Sequence, residues 1–229
     1  MSAEIPPASP RKSAMTAPRR PRRASSTTRI GRPPGSSREE TIARLVTAAQ
    51  QHFGDRGYFG ARLVDIAADA GVTHSSIYQY FSSKEDLYQA AFEAAQAELL
   101  PEYLAAVQSE TSLRGQIGAI LRASADVHRR NPLITPFLAS MPLEVRRHPD
   151  LLGGLQDVGE PLMAALHEMF ESARASGEIP SNVADLDLMI AFIGSAMGIG
   201  LLSYGLRTES MDAAAGVIAR VMFGDFFRD

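Results

Sequence analysis

Apolar residues recur at helical spacing through nearly the whole chain, and the most informative run is Asp65 to Phe81. Ile66, Ala67 and Ala70 share one face of a short helix, and Gly71 can take the left-handed conformation that reverses a chain without a Cβ clash. Thr73 then stands where a side-chain oxygen caps a new helix. In that second helix Ile77 and Phe81 face inward with Val72, while His74, Ser75, Ser76, Gln79 and Tyr80 face outward. Two short helices about a glycine turn, the second with a short polar face, predict a helix-turn-helix laid in a major groove. Upstream, Ser37-Arg38-Glu39-Glu40 reads as a capping box, followed by Ile42, Leu45, Val46, Ala49 and Phe53 on one helical stripe that ends at Gly57. Downstream, Ser83-Lys84-Glu85-Asp86 starts a further helix with Leu87 and Ala91 on its apolar side.

The rest of the chain is predicted to be all-α, with helices at about 83–108, 112–130, 133–140, 149–176, 184–206 and 210–227, about nine helices in total. Pro101 is expected to bend the first of these, and Asn131-Pro132, Met141-Pro142 and Gly177-Glu178-Ile179-Pro180 are read as breaks. No charge occurs from Leu188 to Leu206. A membrane span fits this stretch poorly, because glycines and serines interrupt it and Asp185 and Asp187 open the helix. Apolar character all round predicts burial on every side, and Gly194 and Gly198 allow another helix to approach closely. The expected partner is a twin subunit, packed as a four-helix bundle by this helix and the next, which offers Val217, Ile218, Val221, Met222 and Phe226.

Charge divides the chain sharply. Residues 1–38 hold nine Lys and Arg against Glu4 alone, whereas residues 39–93 hold four basic and eight acidic side chains. The reader is acidic and the leader basic, so the leader is expected to supply much of the attraction for phosphate. Residues 1–36 are expected to be a disordered basic arm, rich in Pro, Ser, Ala and Arg. Within it Arg29-Ile30-Gly31-Arg32-Pro33-Pro34 resembles the Gly-Arg-Pro core of minor-groove hooks, which makes Arg29 and Arg32 candidate contacts, beside the plainer reading of a solubilising leader. The chain has no cysteine and its amino terminus lacks the apolar core of a signal peptide, so a cytoplasmic protein is expected.

The alanines ahead of Phe53, Gly57-Tyr58, Ile66-Ala67, Ala70-Gly71-Val72, Ile77-Tyr78, Tyr80-Phe81 and Lys84-Glu85-Asp86-Leu87 together resemble the DNA-binding domain of the TetR family of bacterial regulators, over about residues 37–93. The resemblance implies an N-terminal three-helix DNA-binding domain at 37–93 and a helical effector-binding and dimerisation domain at 94–229. It implies that His74, Ser75 and Ser76 lie nearest base edges, with the cap residue Thr73 also among the DNA contacts, that Gln79 reaches a base or a phosphate, and that Tyr78, Tyr80 and Lys84 touch the sugar-phosphate backbone. One departure stands out: relatives place a Thr or Ser pair before the second helix, where this chain has Ala61-Arg62. Arg62 is read either as a phosphate contact or as a solvated helix start.

Relatives hold a small-molecule inducer in the region corresponding to about 100–176. Tyr103, Leu121, Phe137, Met141, Met163 and Phe170 are the candidate walls, and His128 and His167 the candidate polar contacts, each with core packing as the competing reading. The implied ligand is uncharged and largely hydrophobic or aromatic. The family resemblance favours a repressor released by ligand from an inverted-repeat operator, with the helix at 83–108 as the lever; an activator, a ligand-independent regulator, or a helical interaction protein are the alternatives. The five histidines are scattered, and no HExxH, CxxC, GxSxG, P-loop or dinucleotide fingerprint occurs, so no enzyme, metal or cofactor is expected.

Overall fold

In the computed structural model the described residues are 37–206 and 211–224; the arm with Arg29 and Arg32, and Phe226, lie outside them. Nine α-helices and no strand occur among the described residues: α1 (Arg38–Gly60), α2 (Leu63–Asp69), α3 (His74–Ile77), α4 (Lys84–Gln108), α5 (Leu113–Arg130), α6 (Ile134–Arg147), α7 (Leu152–Ala175), α8 (Asp185–Leu206) and α9 (Met211–Met222). The capping box is formed as the sequence predicts: Glu40 N–H donates to Ser37 Oγ at 3.1 Å, and Ser37 N–H donates to Glu40 Oε2 at 2.9 Å. Ser83 and Ser112 cap α4 and α5 by accepting the Asp86 and Gly115 amides on their hydroxyls.

The break expected at Gly57 is a kink at φ +69°, after which Tyr58 to Gly60 complete another turn. Pro101 does not interrupt α4. Pro101 and Ala97, the residue whose carbonyl loses its donor, are both exposed, so water can serve that oxygen. Met141-Pro142 is not a break either. α6 runs through Pro142 to Arg147, seven residues past the expected end, because its C-terminal half is held by burial of Glu144. A short 3-10 turn, Pro149–Leu151, then leads into α7.

Two large apolar cores and a smaller cluster of Ala95, Leu99, Val127 and Ile134 result. The first is built on Leu45, Phe53, Tyr58, Ile66, Ile77, Leu87 and Tyr88, and it also takes in Phe137 from α6 and Leu151 and Leu155 from the turn and α7. Phe53, Tyr58, Tyr88 and Phe137 form its aromatic centre, with edge contacts of Tyr88 to Phe53, Tyr58 and Phe137 at ring-centroid distances of 4.9, 5.3 and 5.1 Å. The second core joins α5, α7, α8 and α9 through Ile117, Ile120, Leu166, Met169, Phe170 and Phe192.

α1 and α6 meet closely enough that a Cβ on Gly54 would stand 3.0 Å from the Phe137 nitrogen. Beside this contact Glu144, 4% exposed, accepts the Tyr58 N–H at 2.9 Å and an Arg147 guanidinium N–H at 3.0 Å. The carboxylate therefore satisfies a backbone donor that the Gly57 kink strips from the helix.

Glu144→Ala leaves that buried amide unpaired and is expected to cost about 1–3 kcal/mol. Glu144→Gln, whose amide oxygen still accepts, should cost less. Urea denaturation followed by circular dichroism at matched protein concentration measures both, and an unchanged midpoint for the alanine variant would show that the clasp adds nothing.

Candidate DNA interface and internal cavity

The helix-turn-helix is set by its caps and by three side-chain ties back to α1. Gly71 carries the turn at φ +72°, and Thr73 Oγ1 accepts the Ser76 N–H at 3.2 Å. His52 Nε2 meets Asp69 Oδ2 at 2.6 Å, and Arg56 pairs with Asp65 at 2.9 Å, so both acidic residues of α2 are engaged along its α1 side. Arg44 Nε donates to the Ala70 carbonyl at 3.0 Å, closing the end of α2.

α3 itself is four residues long, and the chain continues as a turn in which the amides of Gln79, Tyr80 and Phe81 bond back to Ser76 and Ile77 at 3.0 Å. His74, Ser75, Tyr78 and Gln79 are exposed, with His74 packed edge-on against Tyr78 at 5.6 Å. Ser76 is half-buried, and its hydroxyl lies 2.6 Å from that of Thr73, so the pair stiffens the first turn of α3. Tyr80 is half-buried beneath the Arg38 guanidinium at 5.1 Å, and Arg38 also donates to the Gln79 carbonyl at 3.3 Å. Arg38 is a positive charge beside the reading turn that the sequence analysis counted with the arm; only its three-dimensional partner, forty-one residues away, reveals it.

Lys84 lies over the Tyr58 ring at 4.8 Å and donates to the Phe59 carbonyl at 3.3 Å, and burial lowers its ammonium pKa. It ties α4 to the corner between α1 and α2. Arg62 is exposed at the N-cap of α2 and makes no side-chain cap bond.

Between the two cores lies a half-open cavity of about 580 Å³ walled by α4, α5, α6, α7 and α8. Tyr103, Leu121, His128, Met141 and Met163 stand on its walls. Three other sequence candidates do not. Phe137 is fully buried in the first core against Tyr88, Phe170 is buried in the second core against Phe192, and His167 is more than half exposed, paired with Asp185 at 2.6 Å. Each follows from helix phase: Phe137 faces α1 while the next residue, Leu138, lines the cavity. His167, Glu171 and Asp185 bring three potential ligand atoms within 4.8 Å, but Arg174 already pairs with both carboxylates.

The sequence analysis missed Phe92, Gln96 and Leu99, which continue through Tyr103 along one face of α4, and Phe192, Ile193, Ala196 and Met197 of α8. The α4 stripe follows helical spacing and was available to find; α8 had been assigned wholly to the subunit seam. α8 is long and apolar enough to cross a membrane on length and composition. Its Leu186, Ile190, Leu201 and Leu202, with Val217, Val221 and Met222 of α9, form an exposed apolar surface. A Cβ at Gly194 or Gly198 would meet nothing within 4 Å.

Comparison with known proteins agrees with this geometry. Residues 45–91 match the family model described as bacterial regulatory proteins, tetR family. The HTH-type transcriptional regulator SrpR of Pseudomonas putida is 28% identical over 86% of this chain and 89% of its own length. A TetR transcriptional regulator from Chloroflexus aurantiacus superposes with a TM-score of 0.65 at 25% identity, covering 81% of this chain and 95% of that one. The transcriptional regulator FadR from Bacillus subtilis, in complex with stearoyl-CoA, superposes with a TM-score of 0.63 at 15% identity over 77% of this chain and 97% of that one. The reading turn, the helices that hold it and these likenesses agree: the chain belongs to the TetR family of bacterial regulatory proteins and is a DNA-binding transcriptional regulator.

Proposed function

We propose that this regulator binds an inverted-repeat operator as a cytoplasmic homodimer and that a small, largely hydrophobic, uncharged ligand in the internal cavity releases it, which makes it a repressor. One observation carries the reading: the helices that wall the cavity are the helices that hold the reader. α4 begins with Lys84, Leu87 and Tyr88 in the DNA-binding core and continues with Phe92, Gln96, Leu99 and Tyr103 along the cavity. α6 sends Phe137 and Glu144 toward α1, and Leu138, Met141 and Val145 toward the cavity. A ligand that prefers one setting of these helices shifts the spacing of the reading turns, and DNA opposes that ligand by the same free energy. Residues 37–93 act as reader and 94–229 as effector and dimerisation unit, although the reader's core extends into α6 and α7.

Base edges fall to His74, Ser75 and Gln79, which are exposed, with Ser76 and Thr73 shaping the turn. Tyr78, Tyr80, Lys84 and Arg62 supply or orient backbone contacts, and Arg29 and Arg32 of the arm reach the minor groove. The exposed apolar surface of α8 and α9 is the subunit seam rather than a membrane contact. Gly194 and Gly198 leave room for the partner helix, and Val217, Val221 and Met222 complete the bundle. The same architecture serves an activator if the bound dimer recruits polymerase; reporter assays with and without the gene decide the sign.

The operator is recovered by selecting bound duplexes from a random pool. Fluorescence anisotropy is then expected to show that Ser75→Ala with Tyr78→Ala weakens binding at least about tenfold while the helical content is unchanged. Equal affinity would remove α3 as the reader. Deleting residues 1–34 takes away eight basic side chains and should both weaken binding and flatten its salt dependence. An unchanged slope would exclude the arm from phosphate contact. Leu202→Glu with Val221→Glu places charge in the seam, and sedimentation velocity should report monomers where the unaltered chain gives dimers; persistence of the dimer would place the seam elsewhere.

A further inference from the structure

The cavity is apolar except for Gln156 on α7 and one wall built by α4, α5 and α6, and that wall is already largely self-satisfied. On α4 and α5 the Tyr103 hydroxyl donates to Ser124 Oγ at 3.0 Å. His128 Nδ1 lies 2.7 Å from Thr135 Oγ1, a contact that crosses from α5 to α6. Gln96, two helical turns before Tyr103 on the same α4 face, is the exception: its Oε1 has no hydrogen-bond partner and is buried beneath the cavity surface, so that a turn of the amide is needed to present the oxygen to a ligand. Among the described residues, no Asp, Glu, Lys or Arg lines the cavity. Apart from the Gln156 amide on α7, the remaining surface, including Leu162, Met163, Phe192 and Met197, is hydrocarbon and thioether.

We infer that the cavity selects an uncharged amphiphile whose polar end donates a hydrogen bond to the Gln96 amide oxygen, and that it rejects carboxylates and phosphates. This inference rests on the cavity being the effector site, as proposed above. A buried acceptor without a donor is a standing cost, and a ligand N–H or O–H removes it while also keeping its own donor satisfied. An ionised head group has the opposite balance. It would leave water for a wall with no cation, and His128 supplies none, because burial lowers its pKa to about 4 and leaves the ring neutral at physiological pH. Turning the Gln96 amide end for end puts an N–H₂ where the oxygen was, so a primary amide, which both donates and accepts, meets either setting. The acyl-CoA held by the FadR neighbour carries phosphates, which this wall has nothing to receive.

The test uses the full chain, with the uncharged dye Nile red as cavity reporter and three competitors of equal chain length: decanamide, methyl decanoate and decanoate. At pH 7 decanamide is expected to displace the dye about five- to tenfold more effectively than the methyl ester, which accepts but cannot donate, and decanoate is expected to be the weakest. Gln96→Leu should abolish the preference for the amide over the ester and leave the ester's affinity equal or improved. Its melting temperature should match or exceed that of the unaltered chain, since an unpaired buried amide is removed. Gln96→Met serves as the second variant if the leucine variant folds poorly. If the three compounds displace the dye but the amide preference survives in both variants, or if decanoate competes as well as the amide, the selectivity inference is wrong while the cavity remains the ligand site. Failure of all three to compete with the dye, together with dye binding that survives Met163→Trp, would place the ligand outside the cavity and overturn both.

Discussion

The contact on which the remaining architecture depends is the seating of α6 against α1. A glycine at 54 permits the approach, a kinked glycine at 57 exposes a backbone donor, and the buried Glu144 receives it through Tyr58. Around this joint the rings of Phe53, Tyr58, Tyr88 and Phe137 bring α1, α4 and α6 into one cluster. Without it the reader would be held only by α4, by Leu151 and Leu155, and by the Tyr204 hydroxyl of α8 on Asp55. With it, the orientation of α2 and α3 is fixed relative to the helices that enclose the cavity, which is the mechanical condition for a ligand to be felt at the DNA.

The reader is acidic overall, yet its negative charges are occupied. Asp65 and Asp69 are tied to Arg56 and His52, Glu40 and Asp86 serve as caps, and hydrogen bonding from Tyr58 holds the Glu85 carboxyl below its usual pKa. These groups hold the turn together, and the cations that the proposed DNA reading offers to phosphate are other residues: Arg38 beside Tyr80, Arg62 at the start of α2, and the basic side chains of the leader sequence. Stability and attraction are thus assigned to different residues.

Much of this was legible from residue order alone. The caps at Ser37, Thr73 and Ser83, the turn at Gly71 and the inward set of Ile66, Ile77 and Leu87 are local consequences of side-chain chemistry, and the structure places each where the pattern requires. What resisted reading were the properties set by phase and by partners remote in sequence. Proline at 142 looks like a stop until the burial of Glu144 two residues later is known. Phe137 and Leu138 are both apolar neighbours, and only packing decides that the first joins the DNA-binding core and the second the cavity wall. His167 resembled a polar ligand contact, yet it staples α7 to the start of α8 through Asp185. α8 was assigned a single role because its sequence is uniformly apolar, whereas the folded helix divides between cavity and seam.

Under the proposed function, a cavity lining that carries no Asp, Glu, Lys or Arg among the described residues separates DNA from ligand by their response to ionic strength. Grip on a polyanion weakens steeply as counterions become abundant, while the transfer of an uncharged amphiphile into a hydrocarbon wall is nearly indifferent to them, and strengthens slightly with strongly hydrated salts. Under the proposed linkage, salt that loosens the regulator from its operator also removes the DNA that opposes the ligand, so ionic strength and ligand act in the same direction.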